Sequence, residues 1–232
     1  MIRNYFVLDG KSSTDFNTYI AKSHAFDGVA PDIESITVPG RDGELTYNNK
    51  RYSVFEDEIE AYIPRNMLET IDGLRAWLQS KTEYVRYEES IHPDEYRLAR
   101  FSGALTISES DHKGAAFTLP FTFQPQRWLK TGENTIEFTA NGSLFNPTRF
   151  AAKPLIRAYG TGSMTVNGYT VTVNTASGYT DIDCEIMDCY KGSTNCNGNV
   201  TLNNFPVLSP GNNTITFTGF TSVEIKPRWY TI

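Results

Sequence analysis

Long apolar runs are missing from this 232-residue chain: no stretch approaches the roughly 18 residues that a membrane-spanning helix needs. Histidine is scarce. The three present, His24, His92 and His112, all stand in polar, loop-like settings. No Gly-x-Ser-x-Gly elbow and no His-Glu-x-x-His pair occurs, so neither common hydrolytic machinery is supported. There is no basic cluster either. With 21 Lys+Arg against 27 Asp+Glu, the net charge of −6 argues against tight, counterion-releasing contact with nucleic acid. Cysteine numbers three, and the spacings of five and seven between Cys184, Cys189 and Cys196 match no zinc pattern, so free thiols are expected. The opening residues Met1 to Asp9 are too short and too soon charged for a signal peptide, which predicts synthesis and first use in a cytoplasm. Nothing calls for a cofactor or a metal, no catalytic residue is assigned, and an enzyme is not expected.

What is present can fill a core: 39% of the residues are hydrophobic and 13% aromatic, beside 21% charged. The length suits two domains. Charge marks the border between them, because residues 1 to 136 hold 15 Lys/Arg against 21 Asp/Glu while 137 to 232 hold 6 of each. Past that point Thr, Asn and Gly become common. The expected division is 1–134 and 135–232, with Thr131-Gly-Glu-Asn134 as the linker.

The first part is organised around Ile36 to Tyr47. Two alternating segments flank Pro39-Gly40-Arg41-Asp42-Gly43, where Pro presets φ and Gly accepts a positive φ, so a β-hairpin is predicted. It leads into a long strand from Tyr52 to Ile63 and is expected to seed one antiparallel sheet, on which the other N-terminal elements pack. In that strand Phe55, Ile59, Ala61 and Ile63 share one face, and Glu56, Glu58 and Glu60 share the other. The acidic row reads either as a solvated outer face or as a negative surface lining a passage for something anionic that must slide without sticking.

Asn66-Met-Leu-Glu69 has the form of a capping box opening a helix over about 66–80, with Met67, Ile71, Leu74 and Leu78 on its stripe and Leu68 and Trp77 widening it. Strands are predicted around Thr82 to Glu89, Tyr96 to Glu109 and Ala116 to Gln124, the last with Phe117, Leu119, Phe121 and Phe123 on one face. Pro120 inside it implies an edge strand or a bulge. An initial strand is read over Ile2 to Leu8. Asp9-Gly-Lys-Ser12 resembles a phosphate loop only superficially, since Tyr5 stands where the first glycine is required, and a turn is predicted. His92 sits beside two acids without ligand spacing, and Glu88 and Glu89 are carboxylates paired in sequence only.

The second half reads as a β-sandwich. Asn167-Gly168 joins Met164–Val166 to Tyr169–Val173, and strands follow at Asp181 to Ile186, Asn199 to Leu202, Asn213 to Thr218 and Ser222 to Pro227. Asp181, Asp183 and Glu185 fall on one strand face, which holds Ca²⁺ only if loops add oxygens; a solvated face is the plainer reading.

Taken in order, Val38-Pro-Gly-Arg-Asp-Gly43, Asn146-Pro-Thr-Arg-Phe-Ala-Ala-Lys-Pro-Leu-Ile156, Gly160, Ile182-Asp-Cys-Glu185, Asn204-Phe-Pro-Val-Leu208, Pro210-Gly-Asn-Asn-Thr-Ile215 and Pro227-Arg-Trp229 resemble the distal tail proteins of long-tailed, non-contractile bacteriophages. The resemblance covers essentially the whole chain. It implies a mainly β fold with one amphipathic helix: an N-terminal ring-forming belt domain and a C-terminal galectin-like sandwich. It also implies a structural virion protein of the tail, assembled in the host cytoplasm, that closes a homohexameric ring around the DNA channel between the tail tube protein and the tail-tip proteins. DNA then passes through without specific binding, and nothing inserts into a membrane. On this resemblance Pro39, Gly40, Arg41, Asp42 and Gly43 belong to the belt, and Glu56, Glu58 and Glu60 are candidates for the channel lining. Larger members carry an arm that grips receptor-binding proteins; here Lys191 to Asn199 is too brief for one, so a plain hub is expected. The alternative is a carbohydrate-binding module for the host wall, using Tyr159, Tyr169, Tyr179 and Tyr190 as platforms.

Overall fold

The computed structural model describes residues 3–21, 29–110 and 113–232. Within these the chain is mainly β, with several antiparallel sheets and a single α-helix. It separates into two compact units, Met1–Arg127 with Ile232, and Trp128–Thr231.

In the first unit, β1 (Phe6–Leu8) and β2 (Lys11–Ser12) are joined by Asp9 and Gly10, both at positive φ, so the Asp-Gly-Lys-Ser run is a two-residue hairpin turn as predicted. Ile2, His24 and His112 lie outside the described residues. After β3 (Tyr19–Ile20) come β4 (Pro31–Thr37), β5 (Glu44–Tyr52), β6 (Phe55–Ile63) and α1 (Met67–Gln79), followed by β7 (Val85–Glu89), β8 (Glu95–Phe101), β9 (Thr106–Ser110) and β10 (Ala115–Phe123). The main sheet runs β2-β1-β7-β8-β10-β6-β3, with β9 also on β10. One expectation is corrected here. The hairpin β4–β5 does not seed this sheet but forms a two-stranded sheet of its own.

The predicted alternation on β6 and β10 holds. Ile59, Ala61, Ile63, Phe117, Leu119, Phe121 and Phe123 are buried, and Met67, Ile71, Leu74, Trp77 and Leu78 of α1 join them in one core with Phe6 and Leu8. Trp77 stacks between Phe6 and Phe16, at 5.7 and 4.9 Å between centroids. Leu68, expected to widen this stripe, is exposed: at about 100° per residue it falls at the stripe's margin, on the flank opposite Trp77. Asn66 precedes the helix but does not cap it: at φ +57° it is left-handed and its side chain makes no capping bond.

The expected strand Tyr96–Glu109 is broken between β8 and β9. Both pieces pair with β10, and Pro120 lies opposite the break. Its carbonyl accepts from Ser102 N at 3.0 Å, so the edge of Pro120 that lacks an N–H faces this gap. Gly103 passes so close that a Cβ there would meet Pro120 Cγ at 2.9 Å. The edge alternative is therefore overturned, and the one register shift in this strand's pairing with β9 falls between Ala116 and Phe117 rather than at Pro120. β10 is central, and a proline is tolerated because its neighbour is interrupted where a donor would be needed.

β11 (Arg127–Leu129) carries the chain into the second unit, which holds β12 (Ile136–Phe138), β13 (Gly142–Asn146), β14 (Leu155–Tyr159), β15 (Gly162–Val166), β16 (Tyr169–Val173), β17 (Tyr179–Asp183), β18 (Asp188–Lys191), β19 (Thr194–Asn195), β20 (Val200–Leu202), β21 (Gly211–Thr218), β22 (Val223–Lys226) and β23 (Tyr230–Thr231). Two antiparallel sheets form, β12-β22-β14-β17-β18-β19 and β13-β21-β15-β16-β20. Ile156, Ala158, Ile182 and Ile225 of the first and Met164, Val166, Val171 and Ile215 of the second share one core. Asn167 and Gly168, both at positive φ, make the predicted β15–β16 turn. The stretch Thr131–Asn134, expected as a linker, lies inside this unit: Gly132 packs against the Trp229 backbone and its carbonyl accepts from Arg228 N at 2.8 Å.

Candidate functional site

The hairpin β4–β5 is built from alternating residues around a turn that its sequence dictates. Arg41 N donates to Val38 O at 3.1 Å across Pro39-Gly40, and Gly40 at φ +80° and Gly43 at φ +78° take conformations that a side chain would disfavour. The register places Ile36 opposite Leu45 and Glu34 opposite Tyr47, so these four share a face. Ile36 is 49% exposed, Leu45 40% and Tyr47 60%. Pairing shifts register between Pro31 and Ile33. There Arg51 Nε donates to Asp32 Oδ2 at 2.5 Å and, with Asn49, holds the Asp32 carboxyl below its usual value. Neither strand is hydrogen-bonded to a third among the described residues. This is a ribbon with two open edges and an apolar row facing outward.

Glu56, Glu58 and Glu60 stand exposed on the outer face of β6, opposite Thr122, Pro120 and Thr118 of β10. At about 3.4 Å per residue their Cα atoms span about 14 Å of strand. Asp57, between them in sequence, points to the other face and is half-buried.

The remaining sequence candidates are placed separately. His92 sits in the turn before β8. On β7, Glu88 accepts from Arg86 Nε at 2.5 Å, and Glu89 accepts from the Tyr87 hydroxyl at 2.9 Å. Burial first, and then Glu89, pushes the Tyr87 phenol well above its usual range.

In the second unit the expectation of a solvated acidic face is corrected. Asp181 and Asp183 are 3% and 4% exposed, each gripped by a two-pronged guanidinium: Arg157 on Asp181 at 2.7 and 3.0 Å, Arg228 on Asp183 at 2.6 and 2.8 Å. Burial alone would raise the Asp183 acid; Arg228 and the Glu185 and Ile186 N–H groups outweigh it and hold it low. Glu185 lies beyond the end of β17 and pairs with Lys153 at 3.5 Å. No group of three or more metal-ligating side chains assembles among the described residues. Tyr159 and Tyr179 are cross-strand partners, engaged by Glu224 (2.9 Å from the Tyr159 hydroxyl) and by Arg157 (4.2 Å from the Tyr179 ring centre), whereas Tyr169 belongs to the other sheet. Sequence reasoning missed both Arg–Asp pairs. Their only signal is charge alternation on strands whose adjacency spacing does not reveal.

No protein-family model matches the chain, and no curated protein sequence is similar to it at a significant level. Among solved structures, the crystal structure of the Dit protein (gp 19.1) of phage SPP1 is similar over 99% of both chains, with a TM-score of 0.75 and 17% identity. That protein is described as a paradigm of the hub adsorption apparatus in phages infecting Gram-positive bacteria. The two chains share one fold from end to end.

Proposed function

We propose that this chain is a distal tail hub, a structural virion protein whose copies close a six-membered ring between the tail tube and the tail-tip proteins. The observation that carries the reading is the β4–β5 ribbon. A two-stranded sheet with an exposed Ile36-Leu45-Tyr47 face is marginal in water, and its open edges invite pairing. Ring closure against the next copy satisfies both at once, with the Pro39–Gly43 turn carried into the neighbour. Likeness to a phage hub protein along both units supports the same role.

In the ring, Glu56, Glu58 and Glu60 line the DNA passage. A row of carboxylates repels the phosphate backbone, so the polymer slides without the counterion release that would hold it. On this reading the N-terminal unit is the belt, since it carries both the ribbon and the acidic row. The β18–β19 connection is short, which favours a plain hub over a gripping arm. The role is non-enzymatic. A gold-binding tag inserted at the exposed Gly192-Ser193 turn should label the junction of tube and tip in imaged particles; label elsewhere on the particle overturns the assignment.

A further inference from the structure

The second unit brings its thiols together at one sheet edge. In the β18–β19 hairpin Tyr190 pairs with Asn195 and Lys191 with Thr194, so continuing that register by one step sets Cys189 directly opposite Cys196. Cys196 N donates to Cys189 O at 2.7 Å, which holds the two residues side by side although Cys196, at ψ 12°, stands just past the end of β19. Directly opposed Cα atoms of this kind lie about 5.5 Å apart, inside the span that a disulfide bridges. Their Cβ atoms start about 1 Å too far apart, but the outer strand can give. Only one of the two ladder bonds is made, because Cys189 N donates to Asn197 Oδ1 at 2.8 Å instead of to Cys196, and Thr194 and Asn195 are exposed at the edge of the sheet. Cys184 lies just past the end of β17 and is buried, as is Cys189, whereas Cys196 is partly open to solvent and its thiol donates to the Thr194 carbonyl at 3.6 Å.

We propose that Cys189 and Cys196 are an oxidisable pair that closes a cross-strand disulfide when the protein meets a low-molecular-weight disulfide. The open Cys196 thiolate attacks one sulfur of the small disulfide, forming a mixed disulfide and releasing one small thiolate. The Cys189 thiolate then attacks the Cys196 sulfur, forming the protein disulfide and releasing the second. Two cysteine thiols are oxidised, one small disulfide is reduced to two thiols, and the cysteine protons pass to the departing thiolates. Burial, with Asp188 and Cys196 adding to it, pushes the Cys189 thiol up to about 11. The second step is therefore the slow one near neutral pH, and the mixed disulfide on Cys196 appears first. The product pins the outermost strand of the six-stranded sheet. Only the occasion rests on the tail-hub reading: a chain folded in a reducing cytoplasm is carried outside it in the virion, where the bond persists.

The test treats the full chain with oxidised glutathione, alkylates the remaining thiols and maps the digest without reduction. Trypsin cuts after Lys191, between the two cysteines, and a second cut after Glu185 separates Cys184 from Cys189. The expected result is a peptide pair joined through Cys189 and Cys196 with Cys184 alkylated, a bond kept in Cys184→Ser and absent in Cys196→Ser. In the oxidised protein, amide exchange across Lys191–Cys196 slows by at least tenfold. A Cys184–Cys189 bond, a bond between chains, or a glutathione adduct on Cys196 that never transfers overturns the proposal. Mapping is done on the wild-type chain, so it holds even if a variant folds poorly, and its outcome does not depend on where the protein sits in a particle.

Discussion

Replacing Ile36 and Tyr47 together by Ser should weaken ring closure without weakening the fold. Fully burying a large apolar side chain is worth about 1.5–3 kcal/mol relative to leaving it exposed. Ile36 is 49% exposed and Tyr47 60%, so covering what remains open contributes about 1 and about 1.5 kcal/mol. Removing both side chains then costs about 2.5 kcal/mol at each subunit contact, or about 70-fold in its dissociation constant. A closed ring repeats that contact around its circumference, so the concentration at which it forms rises by at least this factor. Sedimentation velocity over a dilution series measures the shift. Because both positions are exposed, thermal melting should move by less than about 2 °C. An unmoved assembly midpoint with an intact melting curve would refute the idea that this face is covered by the neighbour.

Arg228→Gln strips the buried Asp183 carboxylate of its two-pronged partner and should destabilise the second unit by about 3 kcal/mol in urea titration; a change near zero contradicts the pairing. The same pair sets an acid limit. Asp183 titrates below its usual value in the folded chain, so its stabilisation is complete above the unfolded value of about 4 and fades as pH falls through the lower folded one. Wild type should therefore lose more stability than Arg228→Gln on acidification below about pH 4. Gly162→Ala would drive a Cβ to 2.3 Å from Thr218 O and 2.8 Å from Phe220 N; we expect a loss of about 4 kcal/mol or failure to fold, read by circular dichroism, and a stable variant would show that the β15–β21 approach is looser than described. Reversing Glu56, Glu58 and Glu60 to Lys should slow DNA release from assembled particles most strongly at low salt, and release at the wild-type rate would remove the row from the passage.

Much of the fold was legible because short-range chemistry determined it. Asn167-Gly168 and Asp9-Gly10 make their turns from local φ preferences alone, and the Phe117-to-Phe123 alternation reports a strand with one dry face wherever it pairs. What stayed hidden depends on partners distant in sequence. The break between β8 and β9 falls where Gly103 passes close to Pro120, a contact that spacing cannot show. Asn66 carries the right residue for a cap, yet a left-handed backbone aims it away. The acids Asp181 and Asp183 look solvated until topology sets Arg157 and Arg228 against them. The candidate site divides the same way. Its turn and its acidic alternation were readable from residues 36–47 and 55–63, whereas the isolation of the ribbon from the main sheet is a property of pairing, and apolar alternation is identical for a strand covered within its own chain and one covered by another copy.

The central claim is tested most directly by the absolute mass of the purified wild-type chain in solution, from light scattering with imaging of the same peak. A ring of six 26.1 kDa chains has a mass of about 157 kDa and should appear as an annulus with a central opening. A mass of one chain at every concentration reached would contradict closure through the β4–β5 ribbon.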